Sequence, residues 1–64
     1  MKDQVLLKPR AAAERLGLSE STLAKMRMTR TGPPFCLLGR AVRYRASDLD
    51  AWIASRTVTT DSAA

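Results

Sequence analysis

Residues 9–23 read Pro9-Arg10-Ala11-Ala12-Ala13-Glu14-Arg15-Leu16-Gly17-Leu18-Ser19-Glu20-Ser21-Thr22-Leu23, and the reading of this stretch decides the fold. Pro9 fits the first position of a helix, where its missing N–H is not needed and its fixed φ is already helical. The alanines after it have the best intrinsic helix propensity, and Ala12, Ala13 and Leu16 form an inner face. Gly17 closes this helix directly after Leu16, because glycine takes the left-handed conformation without penalty and turns the chain sharply. Ser19 then offers a side-chain oxygen to the free amides of a second helix. That helix begins near Glu20, whose carboxylate suits the positive end of the helix dipole.

At about 100° per residue, Leu23, Met26, Arg27 and Arg30 fall on one side of the second helix and Ser21, Ala24, Lys25 and Met28 on the other. Leu23 and Met26 are expected to point inward. Only Gly17, Leu18 and Ser19 separate the two helices. A short turn containing glycine is the connection of a helix-turn-helix, and equally that of a plain pair of antiparallel helices in a small bundle. On this segment alone both stay open.

Downstream, Thr31, Gly32, Pro33 and Pro34 end the second helix, since consecutive prolines remove amide donors and exclude the preceding residue from helical space. Phe35–Leu38 and Ala41–Arg45 then read as a hairpin around Gly39 and Arg40, and glycine first in a two-residue loop suits a type II′ turn. In that register Phe35 faces Tyr44 and Leu37 faces Val42 on the core side, with Cys36, Leu38, Ala41, Arg43 and Arg45 on or near the other side. A longer loop that buries Leu38 is the alternative. Ser47, Asp48, Leu49 and Asp50 resemble a capping box that opens a third helix, on which Leu49, Trp52, Ile53 and Arg56 recur at helical spacing and set three large apolar groups against the core. Trp52 is read as structural. Residues 57–64 lack apolar periodicity and read as a flexible tail, leaving residues 1–56 as one domain.

With 64 residues, one thin core is expected. It draws on Leu6, Leu7, Leu16, Leu18, Leu23, Met26, Phe35, Leu37, Leu38, Val42, Tyr44, Leu49, Trp52 and Ile53. The architecture expected is mainly α with a small β-hairpin: three helices, with a two-stranded wing between the second and third. A single cysteine and no histidine exclude an internal disulfide and leave a zinc site to be built almost entirely from carboxylates, so no metal or other cofactor is expected. No nucleophile, acid and base stand at spacings that would assemble a catalytic site, and an enzyme is not expected. Without an apolar run of about 20 residues or the apolar stretch of a signal peptide in Met1–Lys8, neither a membrane association nor export is expected, and the location expected is cytoplasmic.

Eleven Lys and Arg against six Asp and Glu give a formal charge of +5, and placement tells more than the total. Lys25, Arg27 and Arg30 lie on the second helix and Arg40, Arg43 and Arg45 on the hairpin, whereas Asp48 and Asp50 lie on the third helix. A balance polarised in this way suits double-stranded nucleic acid. The outward patch of Ser21, Thr22, Lys25 and Met28 is the candidate base-reading surface: hydroxyls reach bases or phosphates, Lys25 donates to guanine acceptors, and Met28 lies against a thymine methyl. Arg27 and Arg30 are added from the same helix, Arg40 from the hairpin tip, Arg43 and Arg45 from its strand, and Arg10 from the first helix as a backbone contact. Phosphate contacts of this kind set register and affinity and carry little sequence information.

The order of these residues resembles a known family, the excisionase and AlpA group of MerR-type winged helix-turn-helix domains. The likeness runs from about residue 6 to 56. It is carried by the residue 9–23 stretch together with Gly32 Pro33 Pro34 Phe35, Leu38 Gly39 Arg40, Val42 Arg43 Tyr44 and Ser47 Asp48 Leu49 Asp50 Ala51 Trp52. Departures from the pattern are Lys8, where the family often has a capping hydroxyl, and Ala24, Met26 and Met28, where it often has aromatic or basic residues. The resemblance implies that the second helix enters the major groove while the wing tracks the flanking backbone or minor groove. It implies a recombination directionality factor that bends attachment-site DNA for an integrase, with several copies loading head to tail. A small transcriptional regulator is the second reading, and a protein adaptor that docks an integrase is the contrasting class. No small-molecule ligand is expected.

Overall fold

The computed structural model describes residues 5–58. Their elements follow in the order β1 (Leu6–Leu7), α1 (Pro9–Leu16), α2 (Glu20–Thr29), β2 (Cys36–Leu38), β3 (Ala41–Arg45) and α3 (Ala46–Arg56). Three helices stand with a small antiparallel sheet of order β1-β3-β2, which is the architecture expected from the sequence with one added strand.

The helix ends follow from local chemistry. Lys8 is extended and Pro9 opens α1, while Gly17 ends it in the left-handed region at φ 71°. Ser19 caps α2, its Oγ accepting from the Thr22 N–H at 3.1 Å. The α2 helix stops at Thr29, one residue before the expected Arg30, because Arg30 itself turns left-handed at φ 59°. Beyond it the Arg56 guanidinium reaches back to the Thr31 carbonyl at 3.5 Å.

The hairpin keeps the expected register, with Cys36 opposite Arg43, Leu37 opposite Val42 and Leu38 opposite Ala41. The two-residue loop is therefore Gly39-Arg40, and the longer loop that would bury Leu38 does not form. Gly39 has φ 66° and Arg40 does not have a positive φ, which excludes a type I′ turn and agrees with type II′. The strand β1 was not foreseen. It pairs with the far edge of β3, Leu6 opposite Arg45 and Leu7 opposite Tyr44, and two residues are too few to show a period.

Fully buried are Ala12 and Ala13 of α1, Leu23 of α2, Tyr44 of β3 and Leu49 of α3, with Leu7, Leu16, Met26, Phe35 and Val42 packed around them. The small alanine face lets α1 sit at the centre, touching α2, α3 and β3. Several expected core residues lie outside: Leu6 is 46% exposed, Leu37 66%, Leu38 52% and Ile53 39%. For Leu37 the face was right and the cover wrong, since it borders an open groove shared with Met26 and Arg30. On α3 only Leu49 is fully buried. Trp52 is half-buried beneath the Arg56 guanidinium, 5.3 Å from the ring centroid, so the apolar stripe meets the core mainly through its first turn.

Ser47 is not the cap of α3. The strand β3 runs straight into the helix, with Arg45 at the cap position and no side-chain capping bond. The Ala46 N–H is satisfied instead by the Val5 carbonyl at 2.9 Å. Of the expected tail, Thr57 and Val58 are non-helical and exposed, and residues 59–64 fall outside the described residues.

Candidate nucleic-acid interface

Burial of Leu23, with Met26 half-buried on the same side, fixes the rotation of α2. At that rotation Ser21, Thr22, Lys25 and Met28 are all exposed, Met28 at 83%. Ser21, Lys25 and Met28 follow at i, i+4 and i+7, so they form one stripe along the helix. At its N-terminal end three hydroxyls gather: Ser19 Oγ donates to Thr22 Oγ1 at 2.9 Å and lies 3.2 Å from Ser21 Oγ. The stripe is thus headed by groups that donate and accept, followed by a cation and then an apolar tip.

The arginines are placed less uniformly. Arg27 is turned towards the hairpin and half-buried, with Nη1 donating to the Tyr44 hydroxyl at 2.9 Å. It is not part of the outward stripe and works as a brace. Arg30 is exposed just past the helix, and Arg40 is exposed at the hairpin tip beside Gly39. Arg10 is exposed in the first turn of α1. Because successive strand residues face opposite ways and Tyr44 points into the core, Arg43 and Arg45 lie on the sheet face turned from the helices. There Arg43 is half-buried and donates to the Val42 carbonyl at 2.8 Å, while Arg45 lies 3.7 Å from Asp48. The structure therefore gathers Ser21, Thr22, Lys25 and Met28 on α2 and sets Arg43 and Arg45 behind the sheet.

Acids are drawn away from the stripe. Asp48 is held by Arg45, and Asp50 lies 3.7 Å from Arg15. These exposed pairs add little stability, but they leave the outer face of α2 beyond Glu20 without a carboxylate. Among the described residues no buried side-chain nitrogen or oxygen lacks a partner, and no group of three His, Cys, Asp or Glu comes together. No described helix is long and apolar enough to cross a membrane.

Sequence reasoning missed one feature, a groove of about 480 Å³ between the end of α2 and the hairpin, lined by Met26, Arg30, the Gly32–Phe35 segment and Leu37. Its floor depends on Gly32, where an added Cβ would stand 2.8 Å from the Met26 Cβ. The available signal was glycine before the two prolines, which reads as a turn without revealing what the turn packs against.

Compared with known families, residues 6–57 match the model described as a helix-turn-helix domain. No curated protein matches the chain.

Proposed function

The chain belongs to the helix-turn-helix domain family, and on that premise we propose that it is a sequence-reading DNA-binding protein acting as an excisionase, one that bends attachment-site DNA so that an integrase excises a mobile element. Membership makes DNA the partner. The observation that carries the reading is the exposed stripe Ser21, Lys25 and Met28, held outward by the burial of Leu23 on the opposite side of α2. In the major groove, Ser21, Thr22 and Lys25 meet base edges and Met28 meets thymine methyls. Arg30, Arg40 and Arg10 take phosphates beside it, and Arg43 and Arg45 raise the positive potential of the wing without leading the contact. The excisionase role is supported by the likeness of residues 6–56 to that group, with an integrase and further copies of the chain as partners on the DNA.

The test titrates the chain against a duplex recovered by selection from a random-sequence pool, over a range of salt concentrations. The logarithm of affinity should fall linearly with that of salt, by about 0.9 for each phosphate neutralised. A flat response removes DNA binding. Bent duplex carrying adjacent copies, and excision that needs the chain, support the excisionase role. One unbent footprint over a promoter makes the chain a regulator instead, and integrase binding without affinity for any duplex makes it an adaptor.

A further inference from the structure

Both helices of the turn motif end in the same pair of hydrogen bonds. After α1, the Gly17 N–H donates to the Glu14 carbonyl at 3.2 Å and the Leu18 N–H to that of Ala13 at 2.9 Å. After α2, the Arg30 N–H donates to Arg27 at 3.3 Å and the Thr31 N–H to Met26 at 3.1 Å. This arrangement requires a left-handed residue at its pivot, a place that favours glycine. Gly17 meets the requirement at φ 71°, but the second pivot is Arg30 at φ 59°, which among the described residues is the only non-glycine with positive φ. A Cβ in that region crowds the following carbonyl, so the arginine is a less stable choice than the glycine used one helix earlier. Such outliers gather at functional sites.

Its surroundings indicate the function. Arg30 lines the groove together with Leu37 and Pro34, and no acidic residue lines it. Leu37 and Pro34 are exposed apolar side chains with nothing over them. A cation beside bare apolar surface matches a nucleic-acid strand, which presents phosphate oxygens on one side and the apolar face of the sugar on another. The groove opens at the C-terminal end of α2, where Arg30 is the first residue past the helix.

We infer that Arg30 is a clamp for the DNA backbone. The strand leaving the major groove passes between α2 and the hairpin, its phosphate is held by the planar guanidinium fork, and its sugar lies on Leu37 and Pro34. The left-handed pivot holds the guanidinium at the groove at the expense of stability. The inference rests on the DNA-binding reading above.

Two variants of the full chain, Arg30→Gly and Arg30→Lys, test it by thermal melting and by titration of the selected duplex across salt. Arg30→Gly should raise Tm by a few degrees, weaken binding about tenfold and make the salt slope shallower by about one phosphate. Arg30→Lys should keep the wild-type Tm and slope and lose part of the affinity, since a lysine keeps the charge without the fork. A Gly variant with unchanged affinity and slope overturns the clamp and leaves DNA binding standing, and one that melts lower overturns the strain. If the wild-type chain shows no salt-dependent affinity for any duplex, the DNA-binding reading fails and the clamp with it.

Discussion

Arg27 Nη1 on α2 lies 2.9 Å from the Tyr44 hydroxyl on β3, so the candidate reading helix and the hairpin are joined through the most voluminous of the fully buried side chains. Tyr44 also stacks obliquely on Phe35, with centroids 6.2 Å apart and planes at 52°. The aromatic pair fills the space between hairpin and helices, and the guanidinium fixes the angle between them.

Tyr44→Phe removes the acceptor and keeps the ring. Arg27 is only half-buried and can turn to water, so the loss should be about 1 kcal/mol, or a Tm lower by about 4–8 °C for a domain of this size. Thermal melting of Tyr44→Phe, Arg27→Met and the double variant measures the coupling. Strictly additive losses would mean that the two groups do not act as a unit.

The two serines near helix starts give a second contrast. Ser19 holds the Thr22 amide, and Ser19→Ala should cost about 1 kcal/mol. Ser47 makes no cap and is exposed, so Ser47→Ala should stay within about 0.5 kcal/mol. Urea titration of both variants checks the order, and equal losses would restore Ser47 to a capping role.

That contrast shows what was legible in the sequence. Gly17 and Ser19 act on the amides and carbonyls of their own chain neighbours, and so the boundaries of α1 and the start of α2 could be read directly. The hairpin register was legible for the same reason, since Gly39 sets the turn and the turn sets every pair. The placement of Ser47, Ile53 and Leu37 depended on tertiary facts: the Val5 carbonyl supplies the amide partner near the start of α3, α3 packs mainly through its first turn, and an open groove lies between Leu37 and the end of α2. In the candidate site, the outward side of α2 followed from periodicity. Periodicity also put Arg27 on the side of Leu23, but its Tyr44 partner and the groove beside Arg30 did not follow from it, because both join residues distant in sequence.

Glycine substitutions separate strain from space. At Gly32 an added Cβ meets the Met26 Cβ at 2.8 Å, so Gly32→Ala forces the loop off α2 and should cost about 1–3 kcal/mol. Met26→Ala should not rescue it, because the nearest atom is the Cβ that alanine retains. At Gly17 no atom lies within 4 Å of the added Cβ, and φ is 71°, so Gly17→Ala should cost roughly 1–2 kcal/mol from the backbone alone. Melting of the three variants tests this, and a full rescue by Met26→Ala would show that the long side chain, not the backbone, sets the limit.

Lys25 and Arg40 are expected to fail in different ways on DNA, because one sits mid-stripe on α2 and the other at the tip of a turn. Lys25→Ala removes a donor aimed at base edges and should narrow the gap between the selected duplex and its single-base variants by about 1–3 kcal/mol at the position it reads. Arg40→Ala removes a cation whose partners are phosphates. It should weaken all duplexes alike and reduce the salt slope by about one phosphate. Competition titrations with a set of single-base variants distinguish the two. If Arg40→Ala changed the preference among bases while Lys25→Ala weakened every duplex equally, reading would belong to the hairpin tip, and α2 would be a backbone anchor.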